Sequence, residues 1–204
     1  TNPANQAVNH YYALAYMVEV GSHDELVEAL KNQNTYITFT NSFDLKGNVD
    51  ITNESTFIKG EGFAINSNGF KFSVKNTQNV SLENVEFRNY RENALTIWNT
   101  NNVTLKEVGL MGNLKDNPEK SLVGLDIYGS EVNLTDVYTR NHEYRGISVR
   151  NGSTVTIGGS NIHYGDKVDI KMIYGGNDGT ASVIKDSEGY YTKGEVITTN
   201  GTNT

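Results

Sequence analysis

From Tyr36 onward the hydrophobic pattern of the chain runs at a period of two. "YITFT", "VDIT", "STFIKG", "FAIN" and "FKFSVKN" are short stretches of alternating apolar and polar residues, each bounded by Asn or Gly. Such alternation gives an extended segment one face for a core and one for water. The runs continue to about residue 173 and they repeat. Val80, Val103, Val132 and Val155 stand 23, 29 and 23 residues apart, opening the units Val80/Leu82, Val103/Leu105, Val132/Leu134 and Val155/Ile157. The longer interval accommodates the segment "NLKDNPEKS", a loop at 113–121. A strand carrying Val74, Ile97, Ile127 or Val149 precedes each unit, and Val85/Phe87 and Val108/Leu110 follow the first two, echoed at Val137 and Ile162. Three inward-facing strands per period make one coil of a parallel β-helix, with like positions stacked about 4.8 Å apart. An antiparallel sandwich is the alternative, but it does not call for identical side chains at equal spacing.

The first 35 residues follow another pattern. Ala4, Ala7, Val8, Tyr11, Leu14, Ala15 and Val18 form a helix-like stripe over 4–18. "SHDELVEALKN" gives a firmer signal: Ser22 and Glu25 make a capping box, and Leu26, Val27, Ala29 and Leu30 supply an apolar face to a helix at 23–31. A solenoid exposes unpaired strand edges at its ends, and this helix is placed to cover the first. The expected organisation is one domain over 1–204: a cap region over 1–35, coils over 36–173, and a closing segment and tail over 174–204 that breaks the period and is disordered after about 198.

Composition narrows the function classes. The 204 residues suffice for a sizeable core, and abundant Gly, Asn and Thr suit strands joined by tight turns. A net charge of −7 argues against nucleic acid as a partner. Cysteine is absent, which removes thiol catalysis, thiolate metal sites and disulfides. No apolar run is long enough to span a membrane. The start "TNPANQ" has no signal-peptide character and reads as a mature or trimmed terminus, with any sorting signal or wall anchor outside it.

The stretch "ELVEALKN…YITFTNSFDLKGNVDITNESTFIKGEG", followed by "NVSLENVEF", resembles the pectate-lyase-like right-handed parallel β-helix superfamily over residues 19–173. It is most similar to the pectate-lyase-like adhesive domains of Gram-positive bacterial surface proteins. The resemblance implies a right-handed solenoid in a secreted or cell wall-anchored extracellular protein, as part of a larger surface protein. It also implies a polysaccharide or host glycan as partner. For a lyase of the superfamily it would further imply a cluster of calcium-binding carboxylates with a basic residue as general base.

Stacking converts the repeat into candidate sites. If Val74, Ile97, Ile127 and Val149 point inward, then Lys75, Trp98, Tyr128 and Arg150 line up outside, beside a polar row of Ser73, Thr96, Asp126 and Ser148. Two aromatics between two cations form a platform for the apolar face of a sugar, with the cations meeting a carboxylate. The other reading has Trp98 and Tyr128 packing under the 113–121 loop. A second strip, Arg88, Tyr90, Arg140, His142, Tyr144, Arg145, His163 and Tyr164, is expected on turns along one edge; solvated turn residues are the favoured reading, and Arg140 is taken into the ligand site. Glu107 with Asp136, preceded by Asn84, is the best carboxylate stack for calcium, although a solvated bend accounts for it more simply. No row joins three acids to Arg or Lys, so no catalytic residues are assigned. "GGNDG" at 175–179 reads as a turn, four histidines without an HxH or HxxxH pair do not make a zinc site, and the N-x-[S/T] triplets at Asn79 and Asn102 follow from turn chemistry. The expected function is a non-catalytic carbohydrate-binding domain of a secreted adhesin, recognising an acidic polysaccharide or host glycan. The alternatives are a polysaccharide lyase or hydrolase and a structural, self-associating solenoid.

Overall fold

The protein, described here as a computed structural model, is defined over residues 15–113, 120–164, 170–173 and 196–203. In chain order the elements are β1 (Tyr16–Val20), α1 (His23–Ala29), β2 (Thr35–Phe39), β3 (Phe43–Asp44), β4 (Val49–Ile51), β5 (Thr56–Lys59), β6 (Ala64–Asn66), β7 (Phe72–Lys75) and β8 (Gln78–Arg88). There follow β9 (Asn93–Trp98), β10 (Asn101–Met111), β11 (Val123–Tyr128), β12 (Glu131–Thr135), β13 (Tyr138–Arg140), β14 (Arg145–Arg150), β15 (Thr154–Tyr164), β16 (Ile170–Ile173) and β17 (Val196–Asn203). All the pairings among them are parallel. A six-stranded sheet stacks β4, β7, β9, β11, β14 and β16, and the other strands form an 11-stranded sheet that bends around the remaining sides. This is the right-handed parallel β-helix that the repeat and the resemblance imply.

Register explains why the sequence repeats. Val80, Val103, Val132 and Val155 are partners in consecutive coils, as are Leu82, Leu105, Leu134 and Ile157. The second row extends backwards through Ile58 to Ile37, and every member is at most 1% exposed. The Val80 row extends to Thr56 and Thr35, whose buried hydroxyls donate to the carbonyls of Asn53 and Asn32. Opposite them stand Ile51, Val74, Ile97, Ile127 and Val149 on the six-stranded sheet. Phe72 meets Phe87 edge-to-face at 5.1 Å across the interior.

The long strands β8, β10 and β15 turn a corner without ending. At Asn84, Glu107 and Asp136 the backbone takes φ of 53°, and Gly159 takes 67° in the same row. A single left-handed residue redirects the strand, and Asn, Asp and Gly tolerate that conformation best. Asn76, Asn99 and Asn151 do the same beyond the six-stranded sheet. Asn79 and Asn102 are also left-handed and joined by a 2.7 Å amide hydrogen bond, consistent with turn chemistry. A buried hydroxyl ladder lies at the corner after that sheet. Ser130 Oγ donates to the Tyr128 carbonyl and accepts from the Thr100 N–H at 3.0 Å, and Ser153 Oγ accepts from the Ser130 N–H at 3.0 Å.

Helix α1 begins and is capped as expected, with Ser22 Oγ accepting from the Glu25 N–H at 3.2 Å, but it ends at Ala29 rather than 31. Its buried residues are Leu26 and Ala29. Three expectations need correction. The helical stripe over 4–18 fails where it is described: Tyr16–Val20 is β1, paired with β2, because the backbone of this end strand finds its partners there. The tail after 198 is not without structure, since Val196–Asn203 is β17, paired with β15. Ile162 does not continue the inward row of Val137: it pairs with Tyr138, because an extra residue enters β15 between Gly158 and Ile162. The 4–14 part of the stripe and "GGNDG" lie outside the described residues. Among those described, no helix is long and apolar enough to cross a membrane.

Two substitutions test this frame. Ser22→Ala should cost about 1 kcal/mol in the denaturation midpoint, the usual value of a lost cap. Ser130→Ala removes the acceptor of a buried N–H and should cost about 1–3 kcal/mol. An unchanged midpoint in the second variant would show that the hydroxyl ladder is not what satisfies this corner.

Candidate functional site

The row read from the repeat exists as a row. Lys75 is in register with Trp98, Trp98 with Tyr128, and Tyr128 with Arg150. Ser73, Thr96, Asp126 and Ser148 are in register beside them. Both rows lie on the outer face of the six-stranded sheet, toward the C-terminal ends of its strands.

The side chains use this register in a way that period alone does not show. Trp98 and Tyr128 stack face to face, with ring centroids 3.7 Å apart and planes 5° apart. The Arg150 guanidinium lies over the Tyr128 ring, 5.0 Å from its centroid. The rings therefore stand side by side along the helix axis. Both faces of Tyr128 are occupied, and one face of Trp98 is covered by Tyr128. The strip presents ring edges outward rather than a flat platform.

The cations are partnered too. Arg150 Nε and Nη2 donate to the two carboxylate oxygens of Asp126 at 2.8 and 2.7 Å. This forked pair holds a carboxylate whose side chain is only 13% exposed and fixes the guanidinium over Tyr128. Lys75 Nζ is 3.2 Å from Asp50. Among the described residues neither the Trp98 indole N–H nor the Tyr128 hydroxyl has a hydrogen-bond partner.

Arg145 is the residue that the sequence misplaced. It opens β14, in register with Val123 and Asn93, on this same face rather than on a turn edge. Its Nη1 donates to Ser148 Oγ at 3.3 Å, while its buried Nε has no partner among the described residues. Burial lowers its pKa, Asp126 opposes that shift and Arg150 adds to it, but a guanidinium remains charged. Spacing gave no signal: Arg145 and Arg150 stand five positions apart, and strict alternation would put them on opposite faces, whereas this strand-opening residue reaches back to Ser148 on the outer row.

Other members of the expected strips are separated from it. Arg140 ends β13 in the 11-stranded sheet, in register with Met111, so the structure does not bring it to the Trp98 face. Tyr90 and His142 are not on a solvated edge. Each is 1% exposed; their rings stack at 5.7 Å, and Tyr90 Oη lies 2.7 Å from His142 Nε2. The small Gly124 makes room for this imidazole, since a side chain there would collide with it. Asn113 N–H donates to Ser121 Oγ, which donates to the Tyr90 carbonyl. The base of the 113–121 loop thus sits at the start of β9, and Trp98 is at its other end.

Glu107 and Asp136 occupy neighbouring coils at the left-handed bend. Backbone geometry accounts for that row, and the Asp136 carboxylate reaches into space that Gly159 leaves open. Among the described residues no group of three or more His, Cys, Asp or Glu side chains is arranged to hold a metal ion.

Neither a protein-family model nor a curated protein sequence matches the chain. Among solved structures, the alginate lyase from Paenibacillus sp. str. FPU-7 is similar, with a TM-score of 0.41 and 10% identity over 92% of this chain and 95% of that one. A likeness this distant assigns no activity.

Glu107 offers a test of bend against ion site. Glu is poorly suited to φ of 53°, so Glu107→Asn should raise stability by up to about 1 kcal/mol, with calcium making no difference to either protein. A calcium-dependent midpoint that the substitution abolishes would make Glu107 a ligand.

Proposed function

We propose that this β-helix is a carbohydrate-binding domain whose six-stranded face holds an extended acidic polysaccharide, in the setting of a secreted or wall-anchored bacterial adhesin. The observation that carries the proposal is the continuous stack of Trp98, Tyr128 and Arg150, locked by the Asp126 fork. Side chains held in advance lose little freedom when a ligand arrives, which favours binding. The face offers donors: an indole N–H, a phenol and the Arg145 guanidinium, beside the Lys75–Asp50 and Arg150–Asp126 pairs. A ligand rich in acceptor oxygens and carrying negative charge complements it. Steps of about 4.8 Å between coils let such a chain run along the axis.

A second reading, a lyase acting on the same class of polymer, is favoured by the Arg150 guanidinium over Tyr128, with Arg145 near enough to Arg150 to feel its charge. Proton abstraction next to a carboxylate needs that carboxylate neutralised and a group to move the proton. Binding and turnover are separated in one experiment. Titration with polygalacturonate should shift the emission of Trp98, the sole tryptophan, without a rise in the ultraviolet absorbance of unsaturated uronate. Trp98→Ala should weaken binding by about 1–3 kcal/mol, as loss of an aromatic anchor does. Arg150→Ala is a poor probe, because it strands the Asp126 carboxylate and lowers stability. Arg145→Gln is the cleaner test of charge recognition and should reduce the salt dependence of binding. Unsaturated products lost in Tyr128→Phe would establish the lyase, and intact binding in Trp98→Ala would move the site elsewhere.

A further inference from the structure

The aromatic side chain best arranged to receive a sugar face is not in the Trp98 row. Tyr138, at the start of β13, is in register with Gly109 in β10, and Gly109 with Glu86 in β8. Gly109 contributes no side chain, so the Tyr138 ring falls across its backbone. A Cβ on Gly109 would lie 2.3–2.7 Å from the ring and its hydroxyl. The ring reaches two coils along the axis, where its hydroxyl donates to Glu86 Oε1 at 3.2 Å. Glu86 Oε2 in turn accepts from Nε and Nη2 of Arg88. Tyr138 is half-buried, so part of its ring reaches solvent. Burial, reinforced by Glu86, raises the pKa of the hydroxyl and keeps it a neutral donor.

Beyond Glu86 the same row continues through the small residues Ala64 and Ser42. These form the floor of a shallow pocket walled by Asp44, Asn66, Arg88 and Asn89. Tyr138 and Ala64 are three coil steps apart, each about 4.8 Å, a span that suits a few sugar rings. Charges along it balance, with Arg88 and Arg140 against Glu86 and Asp44, which distinguishes this face from the donor-rich one.

We propose that the row from Tyr138 to Ala64, with the pocket at its far end, is a second carbohydrate site, taking a neutral oligosaccharide whose terminal pyranose lies on the Tyr138 ring and whose hydroxyls meet Glu86, Arg88 and Asn66. The ring supplies the apolar surface, its held position limits the entropy lost on binding, and the Glu86–Arg88 pair at its rim supplies both an acceptor and donors. This site does not depend on the reading of the six-stranded face.

The test is titration calorimetry of the full chain with cellotetraose, maltotetraose and tetragalacturonate, on the parent and on two variants. Tyr138→Ala removes the ring. Gly109→Ala keeps every binding group but displaces the ring; the atoms it meets belong to the end of a flexible side chain, so the fold should tolerate it, as a thermal midpoint near that of the parent would show. Binding of a neutral tetrasaccharide should fall roughly tenfold or more in both variants. It should persist in saturating polygalacturonate, whose own binding neither variant changes. If Gly109→Ala proves unstable, Tyr138→Leu takes its place. The proposal is overturned if neither neutral tetrasaccharide binds, if binding in the variants stays within twofold of the parent, or if only tetragalacturonate binds.

Discussion

Everything in this molecule depends on the parallel hydrogen-bond register between coils. Once Val80 is paired with Val103, and Val103 with Val132, every other residue of those coils has a fixed neighbour about 4.8 Å away. The core follows at once: an aliphatic row from Ile37 to Ile157 packs like against like, each side chain filling the gap beneath the next. Corners follow too. A strand that must turn without losing register needs a residue that accepts positive φ, and Asn84, Asp136 and Gly159 supply it at one corner. Glu107 supplies it at some cost.

The same register shapes the outer surface. Flat side chains on adjacent coils are driven to stack, because their spacing is close to the contact distance of two aromatic rings. Trp98 and Tyr128 do so, and Arg150 completes the column. Opposite charges within reach find each other, so Lys75 meets Asp50 and Arg150 meets Asp126. A row that looks in sequence like open rings between bare cations becomes, in three dimensions, a rigid column of edges with its charges largely matched. What it offers a ligand is order and directed donors.

How much the sequence disclosed follows from the same physics. The coils were legible because Val, Leu and Ile recur wherever a row is fully buried. The extension of the Val80 row through Thr56 to Thr35 was not, since a threonine that bonds its own turn serves the core as well as valine does. Tyr90 and His142 read as solvent-facing because each is polar, and their 2.7 Å contact, 52 residues apart in sequence, helps both to be buried. Arg140 and Arg145 exchange roles because a shift at the 140–145 corner decides which sheet a residue joins, and "RNHEYR" offers no apolar marker for where one strand ends. The column of the candidate site was thus legible as a list of residues, whereas its internal pairing was not.

Where a row is interrupted, the neighbour's side chain is freed from standing upright and falls along the axis. Asn99 and Asn151 close over Gly129, the Asp136 carboxylate over Gly159, and the Tyr138 ring over Gly109. A solenoid with perfect rows would present only ladders of edges and paired charges, the same at every coil. Glycine at an outward position breaks that uniformity at one chosen place and can lay a ring across the sheet. In a fold whose architecture imposes sameness, the residues that make one stretch of surface different from the next carry the specificity. Two of them, Gly109 and Gly129, have no side chain of their own.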